Sequence, residues 1–215
     1  MVIDPVSITI SVLALAVSTA VAWLTFFRRG ILGMTRPSLV AFLHDLSRRD
    51  PLSVLLEGPE TGAKSQDPYP KIYFRALLYA TGRRGHIVES MFVRLHRGET
   101  VQTFNYWAYG EGDRLHPGSG VRVGEEGAVY NHHFLPPRDG TVFQFLAGEY
   151  RLEVYGTLVN QGAPVLLQTI NLVLSEEQAV ALKTKTTPVF YNWGPESQTY
   201  HGHIDIRPRT LGVAG

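Results

Sequence analysis

The stretch TYHGHID, Thr199 to Asp205, carries two histidines and an aspartate at alternate positions. Read as a β-strand, it places Thr199, His201, His203 and Asp205 on one face and Tyr200, Ile204 and Ile206 on the other. Two imidazoles and a carboxylate on one strand face suit a zinc or iron ligand set, and the small Gly202 between them keeps crowding low. His132 or His133 of NHHF is the candidate third imidazole. The plainer assignment sends the apolar face to the core and the polar face to water, and it is preferred because no spacing motif demands a metal. A histidine-based metal-dependent hydrolase or oxygenase using His201, His203, Asp205 and His132 stands as the alternative. A general base in NHHF is also weighed, since imidazole titrates near neutral pH, but nothing adjacent resembles an activated nucleophile.

Other candidate chemistry is thinner. TGRRGH carries Arg83 and Arg84 at a hairpin tip, where paired guanidiniums can receive a phosphate or carboxylate; a solvated turn is the plainer explanation. GSGVRVG spaces its glycines one residue too far apart for a dinucleotide fingerprint and leads into no helix, so it reads as a loop. FNYWAYG and FYNWGPES supply Phe104, Tyr106, Trp107, Tyr109, Phe190, Tyr191 and Trp193, more rings than one sandwich face needs. Some of them are expected to point outward, which makes Trp107, Tyr109, Tyr191 and Trp193 candidate partner-binding residues. Packing against a helix or a long loop is the competing explanation. The chain has no Gly-x-Ser-x-Gly elbow, no phosphate-binding Gly-Lys-Ser/Thr loop and no His-Glu-x-x-His. It has no cysteine either, which excludes disulfides, thiolate zinc sites and a cysteine nucleophile. No catalytic residue and no cofactor is assigned.

The elements that must position these residues begin with an apolar run. Val6–Phe27 contains 22 residues without a charge, about 33 Å as a helix against a hydrocarbon core of about 30 Å. Asp4 and Pro5 suit a helix start, and the Ser and Thr hydroxyls within the run can bond back to helix carbonyls. A cleavable export signal would begin with basic residues and have a shorter run; here the basic residues Arg28, Arg29 and Arg36 follow it. They should stay on the cytoplasmic side and meet anionic headgroups, leaving the amino terminus outside. Ala14, Ser18 and Ala22, four apart, form a small-residue stripe through which spans can self-associate.

Beyond the span the pattern is that of strands. GHIVESMFVRLHRGE puts Met91, Val93 and Leu95 on one face and Phe92, Arg94 and His96 on the other; TVQTFNYWAYG follows a tight Arg97-Gly98 turn, so the two are expected to pair as a hairpin. EYRLEVYGTLVNQGAPVLLQTINLVLS reads as a second hairpin, and AVYNHHFLPP and TVFQFLAG as short strands. Ser175 and Gln178 fit a capping box that opens one short helix, after which two strands flank Gly194-Pro195. Recurrent turn signals indicate an all-β, antiparallel immunoglobulin- or fibronectin-like β-sandwich with one helix. AGEYRLEV resembles the tyrosine corner of such folds, with Tyr150 in the tyrosine position. The expected organisation is a tail at 1–5, a transmembrane helix at 6–27, a juxtamembrane connector at 28–37, and the sandwich at 38–215 with a long loop at 46–70. With 20 basic residues against 19 acidic, the charge is too balanced for a nucleic-acid partner.

TFFRRGILGMTRP, LLYATGRRGHIVESMFVRLHRGE, NHHFLPPRDG and FLAGEYRLEVYG resemble stretches of an uncharacterised bacterial family with a single amino-terminal span. The resemblance implies a sandwich anchored in the bacterial inner membrane and carries no activity. The reading of the whole sequence is a membrane-tethered module that presents its sandwich to a protein partner at the cytoplasmic face, with an accessory subunit of a membrane complex as a further alternative.

Overall fold

A computed structural model of the chain describes residues 4–26, 30–45, 69–109, 115–118, 120–137, 142–159 and 161–205. Phe27, Arg28, Arg29, most of the expected 46–70 loop and Ile206 lie outside the described residues.

Helix α1 spans Pro5–Phe26, one residue earlier than the sequence suggests. Asp4 caps it: its carboxylate accepts from the Val6 N–H at 3.1 Å and the Ser7 hydroxyl at 3.2 Å. The hydroxyls inside it donate to the preceding turn, Thr9 to Pro5 O at 2.9 Å, Ser11 to Ser7 O at 2.8 Å and Thr19 to Leu15 O at 2.8 Å. No polar group of these side chains therefore needs water. None of the helix residues is buried against the rest of the protein. By length and composition this helix can cross a membrane.

Among the described residues twelve strands follow: β1 (Leu32–Met34), β2 (Leu39–Asp45), β3 (Tyr69–Ala80), β4 (His86–Arg97), β5 (Thr100–Tyr109), β6 (Leu115–Pro117), β7 (Val121–Val123), β8 (Ala128–Leu135), β9 (Gly148–Leu158), β10 (Val165–Leu174), β11 (Val189–Gly194) and β12 (Thr199–Ile204), with α2 (Glu176–Lys183) between β10 and β11. Their alternation drives the pairing. In β4, Met91, Val93 and Leu95 are buried while Phe92, Arg94 and His96 face outward, as expected. The β4–β5 hairpin closes with Arg97 opposite Thr100, and Gly98 takes the left-handed φ of 55° that this short turn requires. The β9–β10 and β11–β12 hairpins form as expected. At α2 the Ser175 hydroxyl accepts from Gln178 N–H at 3.2 Å while the Gln178 side chain accepts from Ser175 N–H at 3.0 Å, completing the capping box.

The architecture departs from two stacked sheets. All twelve strands belong to one antiparallel sheet in the order β10-β9-β4-β5-β8-β3-β2-β11-β12, with β1, β6 and β7 added beside β3, β5 and β4. The two ends of this order, β10 and β12, come into contact, so the sheet is barrel-like and encloses its own core. Val40, Phe42, Ile72, Phe74, Val93, Phe104, Phe134, Leu152 and Val154 fill the interior without exposure. The expected connector is part of this sheet: Leu32 and Met34 are buried, and β1 pairs with β3 from Ala80 to Leu78.

The tyrosine corner is present as local geometry. The Tyr150 hydroxyl donates to Leu146 O at 2.6 Å and accepts from Leu146 N–H at 3.0 Å. The preceding segment, expected to be a strand, has no ladder over residues 142–147. Its alternation serves packing instead: Phe145 stacks on Phe42 with centroids 4.5 Å apart, and Phe143 meets Phe104 edge-on at 5.3 Å. Two rings thereby enter a space that strand residues alone do not fill.

Candidate functional site

On β12, Thr199, His201 and His203 point outward together, as alternation requires. The His201 Nε2 lies 2.8 Å from the Ser197 hydroxyl and 3.4 Å from that of Thr199. Ser197 also donates to Gly194 O at 3.3 Å and accepts from Thr199 at 3.0 Å. The Ser197 hydroxyl thus ties the turn carbonyl to Thr199 and the His201 ring, which closes the hairpin. His203 packs its ring against Phe190, 5.9 Å between centroids. Asp205 lies just past the strand, its N–H bonded to Pro188 O at 3.4 Å.

His132 does not join this group. It sits on β8, four strand positions from β12, and faces the interior instead of the solvent. Its ring is enclosed by Phe74, Tyr106, Tyr130 and Phe134. Among the described residues no three His, Asp or Glu side chains form a group able to hold a metal ion. Burial holds the His132 pKa down to about 4, so the imidazole is neutral. The Ala76 backbone lies beside the ring, yet neither nitrogen meets hydrogen-bond geometry.

The aromatic candidates also change places. Tyr191 is fully buried in the core against Phe42 and is no surface ligand; burial pushes its hydroxyl pKa up. Trp107 faces outward from β5 opposite His133 but is only 7% exposed. Trp193 is half-buried: the Arg36 guanidinium lies 4.1 Å over its ring and Tyr200 meets it edge-on at 5.0 Å. The Tyr200 hydroxyl donates to Pro37 O at 2.6 Å, so this cluster pins the chain entering β2 onto the β11–β12 hairpin. Tyr109 pairs through its backbone with Leu115. Arg83 and Arg84 are exposed in the β3–β4 turn. Ala14 and Ser18 are exposed on α1, and Ala22 is half-exposed.

Two outward clusters were not foreseen. The first surrounds His133, where Asp45, Lys71, Tyr73 and Trp107 lie on neighbouring strands of the same face, and Asp45, Lys71 and His133 are all buried. Burial, then the Lys71 charge and His132, lower the His133 pKa to about 4 against the opposing pull of Asp45.

The second cluster lies where β4 and β9 pair in register, Phe92 opposite Tyr155, Arg94 opposite Glu153 and His96 opposite Arg151. Phe92 and Tyr155 stack at 5.1 Å and 11°. The Arg94 guanidinium lies 5.6 Å from the Phe92 centroid and 5.0 Å from that of Tyr155. Glu153 accepts from the Tyr155 hydroxyl at 2.9 Å, sits 3.1 Å from His96 Nε2 and pairs with Arg151 Nε at 3.2 Å. Burial disfavours its charge, but the bonds from Tyr155 and His96 and the Arg151 charge outweigh that and lower its pKa. Beside it, His96, Gly98, Glu149, Arg151, Asn171 and Val173 border a shallow cleft of about 290 Å³.

This strip presents two aromatic faces and two exposed guanidiniums, Arg94 set against the rings and Arg151 paired with Glu153. Such a surface can dock a planar or anionic group without rearranging, and it supplies no nucleophile. Half of it was legible, because Phe92, Arg94 and His96 share an outward face by alternation alone. The other half required knowing that β9, more than fifty residues on, pairs with β4. No protein-family model matches the chain, and no curated protein matches it.

Proposed function

We infer that this chain is a membrane-tethered binding module, anchored by α1 and engaging a protein partner through the outward β4–β9 strip. The observation that carries the reading is the 22-residue apolar helix that buries nothing against its own protein. A core helix of a water-soluble domain hides its apolar stripe; α1 leaves its whole circumference for lipid. The strip supports the binding half, since rigid aromatic rings beside arginine are the composition of energetically dominant contacts. Arg28, Arg29 and Arg36 behind the span support an amino terminus outside and a barrel in the cytoplasm. The resemblance of the membrane-exit and hairpin segments to a bacterial single-span family supports the inner membrane, and the tyrosine corner supports immunoglobulin-like kinship.

The test uses the full chain and an Arg94→Ala/Tyr155→Ala variant, both photocrosslinked in cells and purified from membranes. The expected result is a chain that resists extraction by salt and carbonate, with a partner whose crosslinked yield falls about tenfold in the variant while its thermal unfolding is unchanged. A chain that remains dispersed without detergent would sink the tether. The same crosslinked species at equal yield from both proteins would sink the strip.

A further inference from the structure

The segment leaving α1 is bonded to one particular end of the barrel. Gly30 O lies 2.8 Å from His86 Nε2, Ile31 N–H donates to the Thr81 hydroxyl at 2.7 Å, and Thr81 N–H donates to Ile31 O at 3.0 Å. The contact is so close that a Cβ at Gly30 would overlap the Gly82 backbone. Four virtual bonds separate Phe26, the last residue of α1, from Gly30, so Gly30 stays within about 15 Å of the helix end and the β3–β4 turn is in contact with it.

That end carries the side chains a bilayer surface selects. Arg83 and Arg84 are exposed in the turn, and Arg122 is exposed opposite Ile87 in the β4–β7 pair. Ile31 is 74% exposed and Ile87 52%; Val159, also exposed, donates its N–H to Ile87 O at 3.0 Å. Glu89 and the β7–β8 turn residues Glu125 and Glu126 equal Arg83, Arg84 and Arg122 in number, so the basic character of this end lies in the adjacent, exposed pair Arg83 and Arg84 and not in its net charge. Exposed isoleucines on the same end as an adjacent arginine pair, close to the end of a span, suit the interface, where such charges meet anionic headgroups and short apolar side chains enter the acyl boundary.

Resting on the anchored reading of α1, we propose that the β3–β4 end of the barrel lies on the bilayer that α1 spans, with Arg83 and Arg84 binding the phosphates of anionic lipids and Ile31 and Ile87 entering the interface. The barrel is then held by two attachments, one covalent and one at its rim, which fixes how its outward strip is presented.

The chain contains no cysteine, so single-cysteine variants carry one nitroxide each. Leu15→Cys, Ile87→Cys and Val101→Cys, in the full chain, are placed in nanodiscs of phosphatidylcholine or of equimolar phosphatidylcholine and phosphatidylglycerol. Val101 pairs with His96, nine residues along β4 from Ile87 and about 30 Å away, and reports the far end. In the mixed bilayer the labels at 15 and 87 should collide with oxygen and be shielded from a water-soluble nickel chelate, while the label at 101 stays open to the chelate. Adding Arg83→Gln and Arg84→Gln should cut the docked-to-undocked ratio at position 87 about 25-fold, about fivefold for each arginine, and molar salt should do the same to the wild type. A label at 87 as open to the chelate as the one at 101, with the label at 15 still in lipid, overturns the docking and leaves the anchor standing. Docking that survives both the glutamine changes and molar salt overturns the headgroup role. A label at 15 that reads water overturns the anchor and this proposal with it.

Discussion

Acidification should destabilise the barrel through two imidazoles that the fold keeps neutral. Burial holds His132 and His133 at about 4, against 6.5 for a free side chain. Between those values the unfolded chain takes up protons that the native state refuses, so stability is highest above pH 6.5 and falls as pH drops toward 4. For one imidazole the loss between pH 7.5 and pH 5 is about 2 kcal/mol, and for the pair about 4 kcal/mol. His44, whose pKa is also lowered by burial and by Lys185, acts in the same direction. Glu153 contributes in a different window: its lowered carboxyl pKa adds stability that is lost only below the ordinary carboxylate range. Urea unfolding of the full chain in micelles, at both pH values, should compare the wild type with His132→Leu. Leucine removes two buried nitrogens that satisfy no hydrogen bond, so near neutral pH the variant should be at least as stable as the wild type. Its pH-dependent loss should be smaller by about 2 kcal/mol. Equal pH dependence in both proteins would refute the reasoning, because a group that gives no proton linkage is either reached by water or protonated in the native state.

Three further outcomes follow from the geometry. Tyr150→Phe removes a hydroxyl that satisfies both backbone groups of Leu146, and the thermal midpoint should fall by an amount equivalent to about 2 kcal/mol; a change below about 0.5 kcal/mol would mean that water replaces the corner at no cost. Ser175→Ala should cost about 1 kcal/mol in the same melt, with Gln178→Ala costing less because it removes only the return bond. Trp193→Ala should destabilise by about 2 kcal/mol, since it strips the ring from under Arg36 and Tyr200. Unchanged stability with lost partner crosslinking would return Trp193 to the recognition surface.

Local chemistry was readable in the chain, and long-range pairing was not. The cap at Ser175, the turn at Gly98 and the alternation of β4 each depend on residues within a few positions, and each appears where those residues place it. The polar face of TYHGHID was also legible, and the structure sends it to solvent. Alternation further separates His132 from His133, one inward and one outward. It does not say that Asp45 and Lys71, from two other strands, share the buried surroundings of the outward one. Glu153 illustrates the same gap, because its partner His96 belongs to a strand more than fifty residues earlier.

The excess of aromatic rings has a different physical origin. Two facing sheets about 10 Å apart fill their interior by interdigitating two layers, and rings beyond that need point out. A sheet curled on itself must fill the space enclosed by every strand at once. Phe42, Phe74, Phe104, Phe134 and Tyr191 supply that volume from five strands, and Phe143 and Phe145 add rings from a segment outside the ladder. A surplus of rings therefore points outward only where two flat layers enclose the core. In a curled sheet the same count of rings argues for a filled core, whereas Phe92 and Tyr155 stack on the outer face, where alternation along β4 and β9 places them.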